Sequence, residues 1–289
     1  MQDIVLLAVH GMGPTSDNFA EPAFSALRKA MGDAFSGVHT ASVYYQPILN
    51  ENQERLFDAM KKRELDCHRA RKFLLQGLST GSCLNRNIEE KGGVYQQAQE
   101  LLYSTLDTLF ETYGDLPVVL LSHSSGCDLV SNYIWDAQKP GCNHGVWRDG
   151  GPGNVHKGSK KDLFLRLKTL RHWYTLGANK PLHTAGMSRD QIQSVKTSTC
   201  GYNFRWKNFY HPNDIFAWPL KPLSPSYNQS VYKDLETVTL DQWTESDAAW
   251  QLGVHNSYWT SETVLQSLLE DIAVLRGGSR VELARAQAV

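Results

Sequence analysis

The sequence predicts an α/β fold in which a mostly parallel central sheet is covered by helices on both faces. Short apolar runs such as Ile4 to Val9 and Val118 to Leu121 are typical of strands that are buried on both sides. Stretches with apolar residues at helical spacing alternate with these runs, and turn residues separate the two. Strands that alternate with helices indicate a parallel sheet, whose ligands bind outside the carboxyl ends of the strands.

The first predicted unit is a strand, a helix and a second strand. The run from Ile4 to Val9 ends in a tight loop, residues 10 to 14. Apolar residues between Phe19 and Phe35 recur at helical spacing, and Val38 to Tyr45 is rich in β-branched and aromatic residues. Residues 50 to 85 are polar and partly helical, which predicts a surface segment.

The central part is predicted to hold the strand that leads into the most informative motif. A helix begins near Val94 and ends at Gly114, and the strand at Val118 follows. A further helix runs to about Ala137. The stretch from Pro140 to Ser159 is rich in glycine, which predicts a long irregular loop. Because it has few apolar residues to pack as core, we expect it to lie over or beside a substrate pocket.

The C-terminal part adds three strands and a closing helix. Leu170 to Leu176 and Phe204 to Tyr210 are predicted strands, and Tyr232 to Leu240 is a short one near an edge. Apolar residues from Val264 to Leu275 predict the last helix, and the tail after Gly277 is expected to be a frayed helix. We expect a single domain over residues 1–289, with insertions around 50–90, 139–160 and 180–200.

Composition excludes several classes of partner and site. The 289 residues carry a formal charge of -1, so no basic field is present to attract nucleic acid or anionic lipid. The five cysteines lack the short paired spacing of a zinc site, and free thiols are expected. A signal peptide and a membrane-spanning run are both missing from the sequence, and the simplest expected location is the cytoplasm.

A serine motif follows the central strand. Ser122-His123-Ser124-Ser125-Gly126 has small residues two positions before and after Ser124, and a helix begins at once. This is the pattern of a nucleophile elbow, in which a strained turn lifts the serine clear of the sheet. Taken alone the pentapeptide could be a plain turn, but the strand before it and the helix after it favour a nucleophile. Ser122 stands where glycine is commoner.

The loop after the first strand is expected to supply an oxyanion hole. The N–H of Ser125 and that of Met12, or alternatively of Gly11, would stabilise the negative oxygen of a tetrahedral intermediate. Each donor contributes roughly 3 kcal/mol. The alternative is an ordinary turn between a strand and a helix.

The ordered set His10-Gly11-Met12-Gly13, Ser122 to Gly126, Asp214 and His255 resembles the lipase and esterase branch of the α/β-hydrolases. The resemblance covers about residues 3 to 276 and implies the chain order serine, acid, histidine. It makes Ser124 the nucleophile, Asp214 the acid and His255 the base. Two rival acids remain, Asp241 and Asp247.

The chemistry that the resemblance implies is acyl transfer without a metal or an organic cofactor. The expected partner is a small-molecule acyl substrate, and an ester is the first choice. Thioesterase, acyltransferase and peptidase activities would use the same triad, and a non-catalytic binding protein could keep the same fold. The sequence does not define the acyl group or the oligomeric state. Trp218, Tyr258 and Trp259 could line an apolar acyl pocket, although such residues more often belong to the core.

Overall fold

The computed structural model describes residues 1–11, 15–63, 65–86, 88–238 and 253–277. Several residues singled out above lie outside these ranges. They are Met12 and Gly13 of the first loop, Leu240 at the end of the last predicted strand, the rival acids Asp241 and Asp247, and the tail after Gly277.

Six parallel strands form one sheet in the order β2-β1-β3-β4-β5-β6. The strands are β1 Ile4–Val9, β2 Val38–Val43, β3 Val118–His123, β4 Leu170–Leu176, β5 Arg205–Tyr210 and β6 Val231–Glu236. The predicted mostly parallel sheet is confirmed, and every described strand pair in it is parallel. β6 ends at Glu236, whereas the sequence predicted a strand that continued to Leu240.

The helices lie on both faces of this sheet. They are α1 Glu21–Met31, α2 Gln46–Lys61, α3 His68–Asn85, α4 Val94–Tyr113, α5 Gly126–Gln138, α6 Lys160–Leu165, α7 Lys180–Thr184, α8 Pro225–Ser230 and α9 Glu262–Leu275. Alternate residues of β1 enter two different cores, since successive side chains of a strand point to opposite faces. Ile4, Leu6 and Ala8 pack with α1 and α9. Val5, Leu7 and Val9 pack with α4 and α5.

The 46–85 segment forms two helices, α2 and α3, that contact each other. One part of their interface is polar and buried. The Gln53 amide donates to the Gln76 carbonyl at 3.2 Å and to the Ser79 hydroxyl at 2.8 Å. The prediction of a helical, non-sheet segment is confirmed, but an assignment to the surface is incomplete because Gln53, Gln76 and Thr80 are buried.

The glycine-rich segment 139–160 packs against helices. Val146 and Trp147 are buried, so the expectation that the loop cannot pack as core is wrong. The Trp147 ring lies 5.4 Å from that of Tyr133 in α5, and the Tyr103 hydroxyl of α4 donates to the Pro152 carbonyl. The loop leaves α5 at its carboxyl end, 13 residues after the helix begins. Thirteen helical residues span about 20 Å, so the loop begins about 20 Å along the helix from the serine motif.

The 180–200 segment also makes specific contacts. It contains α7 and a short 3₁₀ turn, and its Ser194 hydroxyl forms hydrogen bonds with the hydroxyls of Ser226 and Ser230 in α8. Within the described ranges, none of the helices combines the length and the apolar character that crossing a membrane would require.

Candidate active site

Ser124 occupies the turn between β3 and α5. Its φ of 50° lies in the left-handed region, which a residue with a side chain rarely adopts. The turn is possible because Gly126 has no side chain, since a Cβ there would lie 2.2 Å from the His10 carbonyl oxygen. A Cβ on Gly11 would lie 2.5 Å from Cβ of Ser124. Both glycines are therefore required for the β1 and β3 loops to meet, as in a strained nucleophile elbow.

Ser122 replaces the glycine that usually opens this motif, and the structure shows how it is accommodated. Its hydroxyl is buried and accepts a hydrogen bond of 2.8 Å from the indole N–H of Trp173 in β4. It also lies 3.3 Å from the sulfur of Cys127. The extra polar atom is thus satisfied inside the core, and its burial carries no large penalty.

His255 and Asp214 are joined although 41 residues separate them in sequence. His255 Nδ1 lies 2.8 Å from Asp214 Oδ2. Since a carboxylate accepts, Nδ1 carries the proton and Nε2 is left as the basic nitrogen. The sequence prediction that these two residues work together has the geometry it needs, and their roles are taken up as a proposal below.

Three donors hold the carboxylate of Asp214. Besides His255, the Tyr258 hydroxyl donates to Oδ2 at 2.8 Å and the Phe216 N–H donates to Oδ1 at 3.0 Å. Burial alone would raise the pKa of Asp214. The hydrogen bond and charge of His255, with the donors Phe216 and Tyr258, outweigh burial and lower that pKa below its ordinary value. Asp214 is therefore an anion at neutral pH.

The serine and the base lie in a closed environment. Ser124 and His255 are buried, and neither Ser124 Oγ nor His255 Nε2 has a hydrogen-bond partner in the part of the chain that the structure describes. No hydrogen bond joins these two atoms to each other. In unliganded serine hydrolases this contact is often loose and tightens when substrate is bound.

Ser124 lies between the amino end of α5 and Gly11. Ser125 is the N-cap residue of α5, and the described hydrogen bonds include none from its N–H. The amino end of a helix favours negative charge, and an unpaired N–H there is a suitable oxyanion donor. Gly11 lies close to Ser124 on the other side, since a Cβ added to Gly11 would be 2.5 Å from Cβ of Ser124. The second donor would be the N–H of Gly11 or of Met12, and of these two residues only Gly11 lies within the described ranges.

His10 organises the loop that carries Gly11. Its Nδ1 lies 2.6 Å from the Gly11 carbonyl, and its Nε2 accepts the N–H groups of Tyr45 at 3.0 Å and Gln46 at 3.2 Å. Burial lowers the pKa of His10 to about 4, so the ring is neutral with its proton on Nδ1. Sequence reasoning found His10 but not this function, which caps the start of α2.

His123 fixes the backbone of the base. Its Nε2 lies 2.6 Å from the His255 carbonyl oxygen and donates to it. Burial, followed by the neighbouring His255 ring, lowers the pKa of His123 to about 3. A neutral ring at position 123 therefore connects the elbow to the loop that holds His255.

The expected acyl-pocket residues have different positions. Tyr258 is buried, and its hydroxyl also accepts the His211 N–H at 2.9 Å, so it belongs to the support of Asp214. Trp259 is buried in the α1 and α9 core, 5.2 Å from the Phe19 ring. Both rings pack in the core, which is the alternative that the sequence left open for them. Trp218 is 42% exposed and stays a candidate.

A polar cluster that sequence reasoning missed lies beside the elbow. The Asn179 amide is 3.3 Å from the Ser125 hydroxyl, and Lys180 Nζ is 3.2 Å from Asp128 Oδ1. No local pattern marks these residues, because β4 brings Asn179 to α5 only in the folded chain.

In the described ranges, no group of three histidine, cysteine, aspartate or glutamate side chains is arranged to hold a metal ion.

Comparisons with known proteins give only distant likenesses. No protein-family model matches the chain, and no curated protein does. Among solved structures, an acetyl xylan esterase matches with 11% identity over 94% of this chain and 97% of that chain, at a TM-score of 0.41. The catalytic core domain of acetyl xylan esterase from Trichoderma reesei matches with 11% identity over 92% and 97%, at 0.39. A Listeria innocua gene product matches with 10% identity over 92% of each chain, at 0.42.

Proposed function

We propose that the chain is a serine hydrolase that cleaves a carboxylic ester through an acyl-enzyme intermediate. The observation that carries this proposal is the hydrogen bond of 2.8 Å between His255 Nδ1 and Asp214, with His255 Nε2 left unpartnered in the described structure. This arrangement suits proton transfer at Nε2. Ser124, which is held in a strained elbow and has an unpartnered hydroxyl, is the matching nucleophile.

In the first half of the proposed reaction, His255 Nε2 removes the proton of Ser124 as the serine oxygen attacks the ester carbonyl. The carbonyl oxygen becomes negative and accepts the N–H of Ser125 and that of Gly11 or Met12. His255 then gives its proton to the departing alcohol as the ester C–O bond breaks, which leaves the acyl group on Ser124.

In the second half, a water molecule replaces the alcohol. His255 takes a proton from this water as the water attacks the acyl carbonyl, and it returns the proton to Ser124 as the acid product leaves. Asp214 stays ionised throughout. It keeps the proton of the neutral ring on Nδ1 and stabilises the positive ring that forms in each half.

Substrate entry requires a change in the surroundings of the site, because Ser124 and His255 are buried. The neighbouring polar cluster of Asn179, Lys180 and Asp128 makes one wall of these surroundings polar. An ester with hydroxyl or amide groups close to the scissile bond would find partners there, whereas a long alkyl chain would not.

The test is covalent labelling with a fluorophosphonate, followed by assays with p-nitrophenyl esters of increasing chain length. We expect wild type and Ser125→Ala to be labelled, because the second serine contributes its backbone N–H, and we expect Ser124→Ala to lose both labelling and turnover. Labelling that persists in Ser124→Ala would contradict the proposal. Failure of the folded wild-type chain to react would favour a non-catalytic binding protein.

A further inference from the structure

A cleft lies at the end of the sheet opposite to Ser124. It has a volume of about 410 Å³ and is lined by Arg171, His172, Asn203, Arg205, Asp271, Val274 and Leu275. Arg171 and Arg205 stand near the amino ends of β4 and β5, whereas Asp214 follows the carboxyl end of β5. A six-residue strand spans about 17 Å, so this cleft is separate from the candidate active site.

The side chains that line the cleft carry more positive than negative charge. Asp271 is its one carboxylate, and Lys207 Nζ lies 2.6 Å from Asp271 Oδ2, which also accepts the Tyr174 hydroxyl. The negative charge of Asp271 is thus compensated within the protein. Arg171 and Arg205 take part in none of the ion pairs found among the described residues. Two arginine charges therefore remain to face an incoming group.

Both guanidinium groups are held by aromatic rings. The Arg171 guanidinium lies 5.6 Å from the centre of the Tyr202 ring, and that of Arg205 lies 5.1 Å from the centre of the Tyr232 ring. An arginine fixed against a ring keeps its N–H groups available in a defined direction, which lowers the entropy lost when it binds an anion.

Buried polar atoms in the cleft have no hydrogen-bond partner. Arg171 Nε and His172 Nδ1 are both of this kind in the described structure, and His172 is 6% exposed. His172 Nδ1 lies 3.3 Å from Asp271 Oδ2 without forming a hydrogen bond. A buried polar atom that lacks a partner is costly, so Arg171 Nε and His172 Nδ1 gain from a contact that a bound group would supply.

We propose that this cleft binds the phosphate group of a small molecule. Two ring-held arginines match the oxygens of a phosphate in pairs. The cleft is larger than a phosphate ion, and the apolar side chains of Val274 and Leu275 line the remaining space. Inorganic phosphate would occupy the arginine end alone, and an organic phosphate would also contact the apolar side. The inference does not depend on the hydrolase activity.

The experiment is isothermal titration calorimetry of the full chain with inorganic phosphate and with phenyl phosphate, at an ionic strength kept constant with chloride. We expect one saturable site. Arg171→Gln with Arg205→Gln should weaken binding about a hundredfold, at about tenfold for each charged hydrogen-bonding group. The control is Arg189→Gln, an exposed arginine outside the cleft, which should bind as wild type does.

Absence of saturable binding to the wild-type chain by both probes would overturn the proposal, and so would unchanged affinity in a folded double variant. If the double variant does not fold, nuclear magnetic resonance of the wild-type chain decides the matter. Phosphate should then shift the side-chain N–H signals of Arg171 and Arg205 but not that of Arg189. Equal shifts of all three signals would show nonspecific ion binding and would refute the site.

Discussion

Replacing Tyr258 by phenylalanine separates the support of Asp214, the proposed triad acid, from the carboxylate itself. The Tyr258 hydroxyl donates 2.8 Å to Asp214 Oδ2 and accepts the N–H of His211 at 2.9 Å. The phenylalanine ring fills the same space, so the change removes these two hydrogen bonds and little else. Asp214 keeps His255 and the Phe216 N–H as donors.

The expected magnitude follows from the charge of Asp214. A hydrogen bond to a buried charged group contributes about 1.5 to 3 kcal/mol, and we take about 2 kcal/mol for Tyr258→Phe. With about 2.1 cal/mol/K of unfolding entropy per residue over 289 residues, this loss lowers Tm by about 3 °C. We expect kcat/KM to fall about tenfold, equivalent to about 1.4 kcal/mol, because the carboxylate is less firmly oriented.

The stability difference should depend on pH in a defined direction. Burial raises the pKa of Asp214, but His255, Phe216 and Tyr258 together hold that pKa below its ordinary value. A lowered pKa stabilises the folded chain above the unfolded-state value, about 3.9, and this stabilisation is lost as the pH falls through the folded-state pKa. The difference between wild type and Tyr258→Phe should therefore be full near neutral pH and shrink in acid.

The assay combines thermal unfolding from about pH 3 to 8 with kcat/KM for a p-nitrophenyl ester at neutral pH. Tyr202→Phe is the matched control, since Tyr202 is 77% exposed and its hydroxyl makes none of the described hydrogen bonds. A Tyr258→Phe chain with the Tm and kcat/KM of wild type would refute the view that this hydroxyl supports Asp214. So would a Tm difference that grows as the pH is lowered.

Three further predictions address the acid, the elbow and the 139–160 loop. Asp214→Asn should lower kcat by about 10⁴, because His255 would no longer be held with its proton on Nδ1. Asp241→Asn and Asp247→Asn should keep kcat within about tenfold of wild type, and a larger loss in either variant would identify that residue as the acid instead. Gly126→Ala should cost more than about 3 kcal/mol of unfolding free energy, since the new Cβ would lie 2.2 Å from the His10 carbonyl, while Gly186→Ala, with open space around it, should be nearly neutral in the same denaturation assay. Trp147→Ala should cost about 3 to 5 kcal/mol in urea unfolding, and a loss below about 1 kcal/mol would show that the loop is not part of the core.

The strands and the strained turn at Ser124 could be predicted because their signals are local. A run such as Ile4 to Val9 can be recognised as a buried strand from its own residues, and the small residues around Ser124 mark a strained turn without any knowledge of the rest of the chain. The alternation of strands and helices then fixes the end of the sheet at which the loops meet.

What the sequence did not reveal depends on contacts between distant segments. Trp147 lies among glycines, and only its contact with Tyr133 shows that it is core. An aromatic residue such as Tyr258 can line a pocket or pack in the core, and the sequence does not distinguish the two. Its hydrogen bond to Asp214 depends on a fold that brings residues 44 positions apart within 2.8 Å. The hydrogen bond from the Trp173 indole to the Ser122 hydroxyl likewise joins two strands, β4 and β3, that are distant in sequence.

The position of His10 has a consequence for exchange of parts between related proteins. One ring nitrogen of His10 lies against the Gly11 carbonyl, and the other receives the first N–H groups of α2. The α2–α3 segment is thus not an independent module that can be grafted onto another scaffold for new selectivity. A transplanted segment would have to present its own N-terminal turn to the imidazole, or the recipient's Gly11 loop would lose its anchor. Successful chimeras should therefore carry β1, His10 and α2 as one inherited block.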